Sequence, residues 1–312
     1  MTSNLHKYAA LVLLLGLLGI ARETQSASEA QIGILLLAHG GARSWNQEVA
    51  ALAANVDKTA PVEVAFGMAS KGSMQKAIDK LVARHVREIV AVPMFVSSHS
   101  SVITSTQYLL GLRADAPEDL AMYAGMHHGH DEHAPAAAEP PVDPATPIHS
   151  PVPIRMAAAL DAHPIVADIL LSRAQAISKD PEHETVLVVA HGPVSEEENA
   201  AWLADMSSLA AAMRRSAASF RQIQYLTVRD DAPDPIRSQA TAELRATVER
   251  AAKQGDRVLI VPLLISYGGI EAGIRKRLEG LPYTMSPQAL LPDDRLASWV
   301  LESARAAPVA LE

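Results

Sequence analysis

The hydrophobic and polar positions of this chain follow two alternating patterns. Apolar runs of strand length are separated by longer stretches with apolar residues at helical spacing. This succession is typical of βαβ units, in which helices bury both faces of a parallel sheet. It predicts strands near residues 32–38, 62–66, 88–94, 154–160, 185–190, 223–228, 258–264 and 283–286. It predicts helices near residues 44–58, 73–86, 101–111, 164–178, 196–219, 235–254, 269–279 and 293–305.

The pattern occurs twice. IGILLLAHGGARSWN (Ile32–Asn46) matches VLVVAHGPVSEEEN (Val186–Asn199), and EIVAVPMFVSSHSSV (Glu88–Val102) matches RVLIVPLLISYGGIE (Arg257–Glu271). An internal repeat of this length predicts two domains of the same fold, as does a chain of 312 residues. We expect the domains at 31–179 and 184–307.

The two copies differ in their histidines. His39 and His191 occupy the same position in the Ala-His-Gly motif, but His99 is matched by Gly268. We therefore expect the first copy to carry the functional pair, and His191 to hold its strand-to-helix turn.

The first copy also contains an insertion. The offset between the copies is 169 at Pro93 and Pro262 and 131 at Leu160 and Leu291, so about 38 extra residues lie between them. We place this insertion at about 113–150.

Potential metal ligands are concentrated in the insertion. MHHGHDEH is followed by a Pro- and Ala-rich stretch that is too polar to fold alone. Two interpretations of this segment are open: an accessory metal-binding tract or a surface loop without a function. The candidate ligands are His127, His128, His130 and His133.

The N-terminal segment resembles a secretory signal. Lys7 precedes a 13-residue apolar stretch (Tyr8–Ile20), and small residues follow it. The stretch is short for a membrane span, which favours a cleaved signal peptide at 1–30 and a periplasmic protein over an N-terminal anchor. No integral membrane domain is expected after cleavage.

Composition narrows the chemistry. A net charge of −8 without a long basic run argues against a nucleic-acid partner. The absence of cysteine excludes disulfides and thiolate metal sites, so histidines and carboxylates are the strong side-chain ligands available. Nothing indicates an organic cofactor, and the oligomeric state is left open.

His39 and His99 form the candidate metal site. His39 ends the first predicted strand and His99 follows the third. With the strand order 2-1-3-4, these strands are neighbours at the point where ligands bind in open parallel sheets. Two imidazoles suit Co²⁺, Ni²⁺, Fe²⁺ or Zn²⁺ and leave positions open for a further ligand.

These motifs resemble class II chelatases, the sirohydrochlorin cobaltochelatase and ferrochelatase group. The resemblance is carried by Ala-His-Gly at His39, Asn46 after it, Val-Pro-Met-Phe before His99, and Asp-Ala-His-Pro at Asp161–Pro164. It covers most of 32–304.

The resemblance implies a fold and an activity. The fold would be two flavodoxin-like, doubly wound α/β domains around a cleft. The activity would be insertion of a divalent metal, Co²⁺ by preference with Fe²⁺ or Ni²⁺ as alternatives, into a sirohydrochlorin-like tetrapyrrole. His39 and His99 would bind the metal and accept protons. Arg43 and Lys71 are candidate partners of substrate carboxylates, although solvated surface positions are open for both.

Metal insertion releases two protons, so a base matters. The cobaltochelatase pattern has an acidic residue shortly after its second histidine, whereas Ile103–Thr106 contains none. We expect the histidines to serve, or an acid from elsewhere such as Glu48 or Glu271.

Two other functions are open. A non-catalytic exported protein that binds or delivers metal or tetrapyrrole would keep the fold and lose the turnover. A phosphohydrolase with a nucleophilic histidine is disfavoured because Ala38 stands where an Arg-His-Gly motif needs arginine. No Gly-x-Ser-x-Gly or P-loop pattern occurs.

Overall fold

The computed structural model describes residues 32–124, 146–216 and 220–308. In chain order the elements are β1 (Ile32–Ala38), α1 (Arg43–Val56), β2 (Val62–Phe66), α2 (Lys71–Ala83), β3 (Glu88–Met94), α3 (Ser101–Leu109), α4 (Leu120–Ala124), β4 (Ile154–Met156), α5 (Pro164–Ile177), a 3₁₀ turn (Pro181–His183), β5 (Glu184–Ala190), α6 (Glu196–Arg215), β6 (Gln222–Thr227), α7 (Ile236–Lys253), β7 (Arg257–Leu263), α8 (Ile270–Arg277), β8 (Thr284–Met285) and α9 (Arg295–Ala306).

The strands form two parallel four-stranded sheets of the same topology, β2-β1-β3-β4 and β6-β5-β7-β8. The α/β fold class and the strand order 2-1-3-4 are therefore confirmed. The first three strands of the first sheet have the predicted bounds. The fourth is shorter, because after Ala157 the chain leaves the ladder and next bonds beyond β3, where Leu160 N–H donates to Phe95 O. The domain boundaries themselves remain a prediction.

Side-chain alternation along the central strands builds three cores. Ile34 and Leu36 of β1 share one apolar core with Val186 and Val188 of β5, so the inner faces of both sheets are buried in the same cluster. The residues between them point the other way, and Leu35 belongs to a separate outer core of the first sheet. Alternate residues of a strand face opposite sides, so one strand serves both cores. The domain interface is thus a continuous hydrophobic core.

Each domain places its last helix on the other domain. α5 follows β4 but packs against β7 and α6, whereas α9 follows β8 but packs against α1 and β3. Trp299 of α9 is 1% exposed in the shared core. The repeat predicted both helices but not this exchange, since sequence periodicity carries no information about which sheet a helix covers.

Two arginine side chains stabilise the positions of the exchanged helices α5 and α9. Arg155 of β4 pairs with Glu88 and donates to the carbonyl of Ala307, just after α9. Arg257 of β7 donates to the carbonyl of Ile177, the last residue of α5. The two domains are therefore tied reciprocally through charge-assisted hydrogen bonds.

Both flanks of the insertion pack against the first domain. Leu120 and Tyr123 of α4 are buried in the outer core. On the far side, the backbone N–H of Ile148 donates to Leu109 O at 2.7 Å. Apolar anchors at both ends therefore hold the segments that flank the central part of the insertion, whose bounds remain a prediction.

Two predicted segments lie outside the described residues: the signal peptide at 1–30 and the tract that carries His127, His128, His130 and His133. Among the helices that the structure describes, none is both long and apolar enough to cross a membrane.

Candidate active site

His39 lies directly beyond the carboxyl end of β1. Gly40 turns the chain with φ +81°, and the side chain of Asn46 accepts a hydrogen bond from Gly41 N–H at 2.9 Å. The His39 imidazole is exposed, and its ring centroid lies 6.4 Å from that of Trp45 in an edge-on arrangement. The Asn that follows the motif therefore fixes the turn that presents His39.

His99 lies in the loop beyond the carboxyl end of β3. Because β3 is the parallel neighbour of β1, with Ala38 opposite Met94, both histidines emerge at the same edge of the sheet. The His99 side chain is 52% exposed. The topology thus brings the predicted pair to one rim, although their shared role as ligands remains a prediction.

The Asp-Ala-His-Pro motif supports the His99 loop. Asp161, with φ +43°, accepts hydrogen bonds from the backbone N–H of Ser98 at 2.5 Å and from its hydroxyl at 2.7 Å. The Ser98 hydroxyl in turn accepts from Ala159 N–H at 2.9 Å. A carboxylate that accepts two such bonds fixes the loop at the base of His99.

Helix α6 of the second domain contacts His99 across the domain interface. Trp202 Nε1 donates to the carbonyl of His99 at 2.9 Å. The carboxylate Oδ2 of Asp205 lies 3.9 Å from His99 Nε2. This oxygen is buried and has no hydrogen-bond partner within the part of the chain that the structure describes. No sequence motif marks Asp205, because its contact with His99 depends on how the domains pack.

The surroundings of His99 are acidic. Burial raises the pKa of the Asp205 carboxyl, Asp161 adds to the rise and His99 opposes it. Burial likewise raises the pKa of Glu198 on the same helix, with a further rise from Asp119. Negative charge near an imidazole favours a bound cation.

The acids that the sequence suggested, Glu48 and Glu271, both accept hydrogen bonds in the structure. Glu48 accepts a hydrogen bond from the Ser266 hydroxyl at 2.5 Å. Glu271 accepts from the backbone N–H groups of Gly268 and Gly269 at 3.1 and 2.9 Å. Asp205 is the carboxylate that the structure records beside His99.

His191 occupies the matching position after β5, in a turn held differently. Arg229, whose side chain is 5% exposed, donates to the carbonyls of Pro193 and Val194 at 2.5 and 2.6 Å. His191 Nε2 lies 3.3 Å from Asp231 Oδ2. This contact holds the pKa of Asp231 below its ordinary value, with burial opposing and His39 assisting. His39 and His191 therefore act on the same carboxylate from the two domains.

The substrate-binding candidates lie at helix starts. Arg43 is the exposed first residue of α1, in the turn after His39. Lys71 is the first residue of α2, beyond β2, and its ammonium group donates to Thr146 Oγ1 at 2.6 Å. The β2–β1–β3 order places both at the histidine edge of the sheet.

Within the described ranges, no cluster of three or more His, Asp or Glu side chains could hold a metal ion. A site built on His39 and His99 would therefore offer two imidazoles and leave several positions for the macrocycle nitrogens.

Sequence comparison finds a family model that matches the first repeat. Residues 33–177 match the family model CbiX. This part of the chain is similar to CbiX. The resemblance to class II chelatases is thereby confirmed. The match spans β1 to α5 and includes both predicted ligands.

One curated protein that is similar to this chain is the sirohydrochlorin cobaltochelatase of Methanothermobacter thermautotrophicus. It is 29% identical over 93 residues, which cover 29% of this chain and 65% of the relative. The alignment thus covers slightly less than two thirds of the relative's own length.

Solved chelatase structures share the two-domain fold. SirB from Bacillus subtilis with Fe³⁺ has a TM-score of 0.60 at 15% identity and covers 88% of this chain and 94% of its own. The cobalt complex of SirB from Bacillus subtilis subspecies spizizenii has a TM-score of 0.55 at 12% identity with the same coverage of both chains. A CbiX described as the terminal enzyme of sirohaem biosynthesis in denitrifying bacteria has a TM-score of 0.52 at 17% identity and covers 89% of this chain and 100% of its own. At these identities the likeness concerns the fold of both repeats.

Proposed function

We propose that this protein is a chelatase that inserts a divalent metal ion into a sirohydrochlorin-like tetrapyrrole. Co²⁺ is the preferred substrate metal, with Fe²⁺ or Ni²⁺ as the alternatives. The observation that supports this most is the position of His39 and His99 beyond adjacent parallel strands, inside the repeat that matches CbiX.

The chemistry follows from the two imidazoles. Neutral His39 and His99 each offer one lone pair to the metal, and the remaining positions accept the macrocycle nitrogens. As the metal leaves the histidines, each imidazole becomes able to accept one of the two protons that the macrocycle releases. The side chains of Asp205 and Glu198 counteract the positive charge that accumulates on His99.

Arg43 is the proposed contact for a substrate carboxylate. It lies in the helical turn after His39 and is exposed, so it can form the bidentate pair that guanidinium groups make with carboxylates. Lys71 could contribute a second contact if it exchanges Thr146 for substrate.

The direct experiment is metal insertion followed by absorbance. Purified protein is mixed with sirohydrochlorin and Co²⁺, Fe²⁺ or Ni²⁺ in separate reactions, and the initial rates are corrected for insertion without protein. Multiple turnovers that are lost in His39→Ala and His99→Ala support the proposal. Stoichiometric binding of metal or tetrapyrrole without turnover supports the alternative, an exported binding or delivery protein.

The proposed location is the periplasm, after removal of 1–30. The apolar stretch Tyr8–Ile20, preceded by Lys7, supports it. Fractionation of cells that produce the full chain, followed by mass analysis of the mature N-terminus, tests it. An uncleaved, membrane-associated product would favour the N-terminal anchor.

A further inference from the structure

The residues of α6 that approach the His99 loop lie on one face of the helix. Glu198, Trp202 and Asp205 follow one another at intervals of four and three residues, which places them in a single stripe. Trp202 holds the His99 carbonyl, and Asp205 faces its imidazole. The backbone of Ser101, two residues after His99, contacts the Glu198 carboxylate.

The repeat provides an internal comparison for this stripe. The third, seventh and tenth residues of α6 correspond to those of α1, which are Trp45, Val49 and Leu52. These three are buried and apolar. An apolar stripe is therefore sufficient to pack the equivalent helix, and packing alone does not explain the polar stripe of α6.

The Asp205 carboxylate is costly at its position. Its Oδ2 is buried without a hydrogen-bond partner among the described residues, and its side chain is 23% exposed. A buried polar atom that lacks a hydrogen-bond partner destabilises the folded protein. The imidazole of His99 is the group that can offset this cost, because a movement of about 1 Å would bring Nε2 within hydrogen-bond range.

We propose that Asp205 of the second domain is the positioning residue for His99 of the first. Its carboxylate accepts the Nε2 proton, orients the ring and leaves Nδ1 as the ligand atom. This inference rests on the proposed role of His99 as a metal ligand. A carboxylate that accepts from the far nitrogen fixes the tautomer of a metal-binding histidine and strengthens it as a ligand.

The proposal also gives the second repeat a role. That repeat has lost its own second histidine, at Gly268, but supplies through α6 the acid that the first repeat lacks after His99. The single site is thus assembled from both copies.

The test measures metal affinity without the macrocycle. Co²⁺ is titrated into the full chain and into Asp205→Asn, Asp205→Glu and His99→Ala, with binding followed by calorimetry. Glu197→Gln is the matched control, because Glu197 is exposed on the same helix and loses the same charge. We expect Asp205→Asn to weaken binding roughly 10- to 100-fold. Asp205→Glu should restore part of it, and Glu197→Gln should bind as the wild type does.

A second measurement separates positioning from folding. Imidazole ¹⁵N shifts of His99, assigned by comparison with His99→Ala, should show the Nε2–H tautomer in the wild type and a mixture of tautomers in Asp205→Asn. Unchanged affinity and tautomer in Asp205→Asn, with binding lost in His99→Ala, would overturn the positioning role and leave the chelatase proposal intact. Unchanged binding in His99→Ala would overturn both.

Discussion

Trp45 of the first domain lies against Gly268 of the second. A Cβ at position 268 would be 3.2 Å from Cδ1 of the indole, closer than most side chains approach one another. Gly268 is the residue that replaces the second histidine in the second copy. The indole therefore leaves little room for a Cβ at this position, where the second copy has glycine.

The two halves of the interface have diverged in a complementary way. Trp45 and Glu198 are the third residues of equivalent helices, and each faces the loop that follows the third strand of the opposite domain. At one end the contact is a glycine under an aromatic ring. At the other it is an exposed histidine beside acidic side chains. One half of the pseudosymmetric interface thus places a glycine beside an aromatic ring, while the other places a histidine beside carboxyl groups.

Restoring the missing histidine should therefore fail. Gly268→His should destabilise the protein by about 1–3 kcal/mol, because it overpacks the interface against Trp45. Urea unfolding of Gly268→His, Trp45→Ala and the double variant measures the coupling. We expect the histidine to cost less in the Trp45→Ala background. Equal costs in both backgrounds would show that the indole does not exclude it.

The histidines of the two copies should differ in importance. His99→Ala should abolish metal insertion, because one of two proposed ligands is lost, whereas His191→Ala should keep most of it. Its turn is held by Arg229 through two carbonyls, which the substitution leaves in place. Initial rates of Co²⁺ insertion at saturating substrates make the comparison. A similar loss of activity in both variants would show that the first copy is wrongly assigned as the active half.

The fold was largely predictable from the sequence. Buried strands such as Glu88–Met94 are uninterrupted apolar runs after their first residue, and the repeat supports each assignment by a second example. Strand order then placed His39 and His99 on one edge, because parallel strands share their carboxyl ends.

Contacts between the domains were not predictable in the same way. The pattern of polar and apolar residues in α6 predicts only that Asp205 is a solvated position. Its nearness to His99 depends on the packing of α6 across the interface. The exchange of α5 and α9 is of the same kind, since both helices would be amphipathic on either sheet. Long-range geometry decides such contacts, and a single sequence carries little information about it.

The stability that Glu184 contributes at the junction between the domains should depend on pH. Glu184 is buried, pairs with Arg257 at 2.6 Å and accepts from Ser178 and from Lys179 N–H. Burial raises the pKa of its carboxyl, but these hydrogen bonds outweigh it and the pKa lies below the ordinary 4.5. A lowered pKa gives stability that is present above 4.5 and is lost as the pH falls through the folded-state value.

Glu184→Gln should therefore lower the free energy of unfolding by roughly 1.5–3 kcal/mol at pH 7, where the charged hydrogen bonds are lost. The difference from the wild type should shrink at pH values below the ordinary pKa. Urea unfolding across this range measures it, with the exposed Glu182→Gln as the control. A difference that stays constant down to acidic pH would contradict the charged role of Glu184.

The insertion offers the last test, and the ordered contacts at its end limit which residues can be deleted. Ile148 bonds Leu109, and the backbone of His149 exchanges hydrogen bonds with the Gln75 side chain, so a deletion that extends to 150 would remove ordered contacts. Deleting 126–145 removes the histidine tract and keeps them. The fold should persist, because loop length costs little entropy.

If the tract collects metal, the deleted protein should insert Co²⁺ more slowly at scarce metal and at the normal rate when metal is abundant, because mass action replaces the local store. Metal retention by the tract should also fail below about pH 6, where imidazoles protonate. Replacing the four histidines with serine at unchanged length is the control for loop length. Superimposable curves of initial rate against metal concentration for all three proteins would reduce the tract to a spacer and leave His39 and His99 as the sole proposed site.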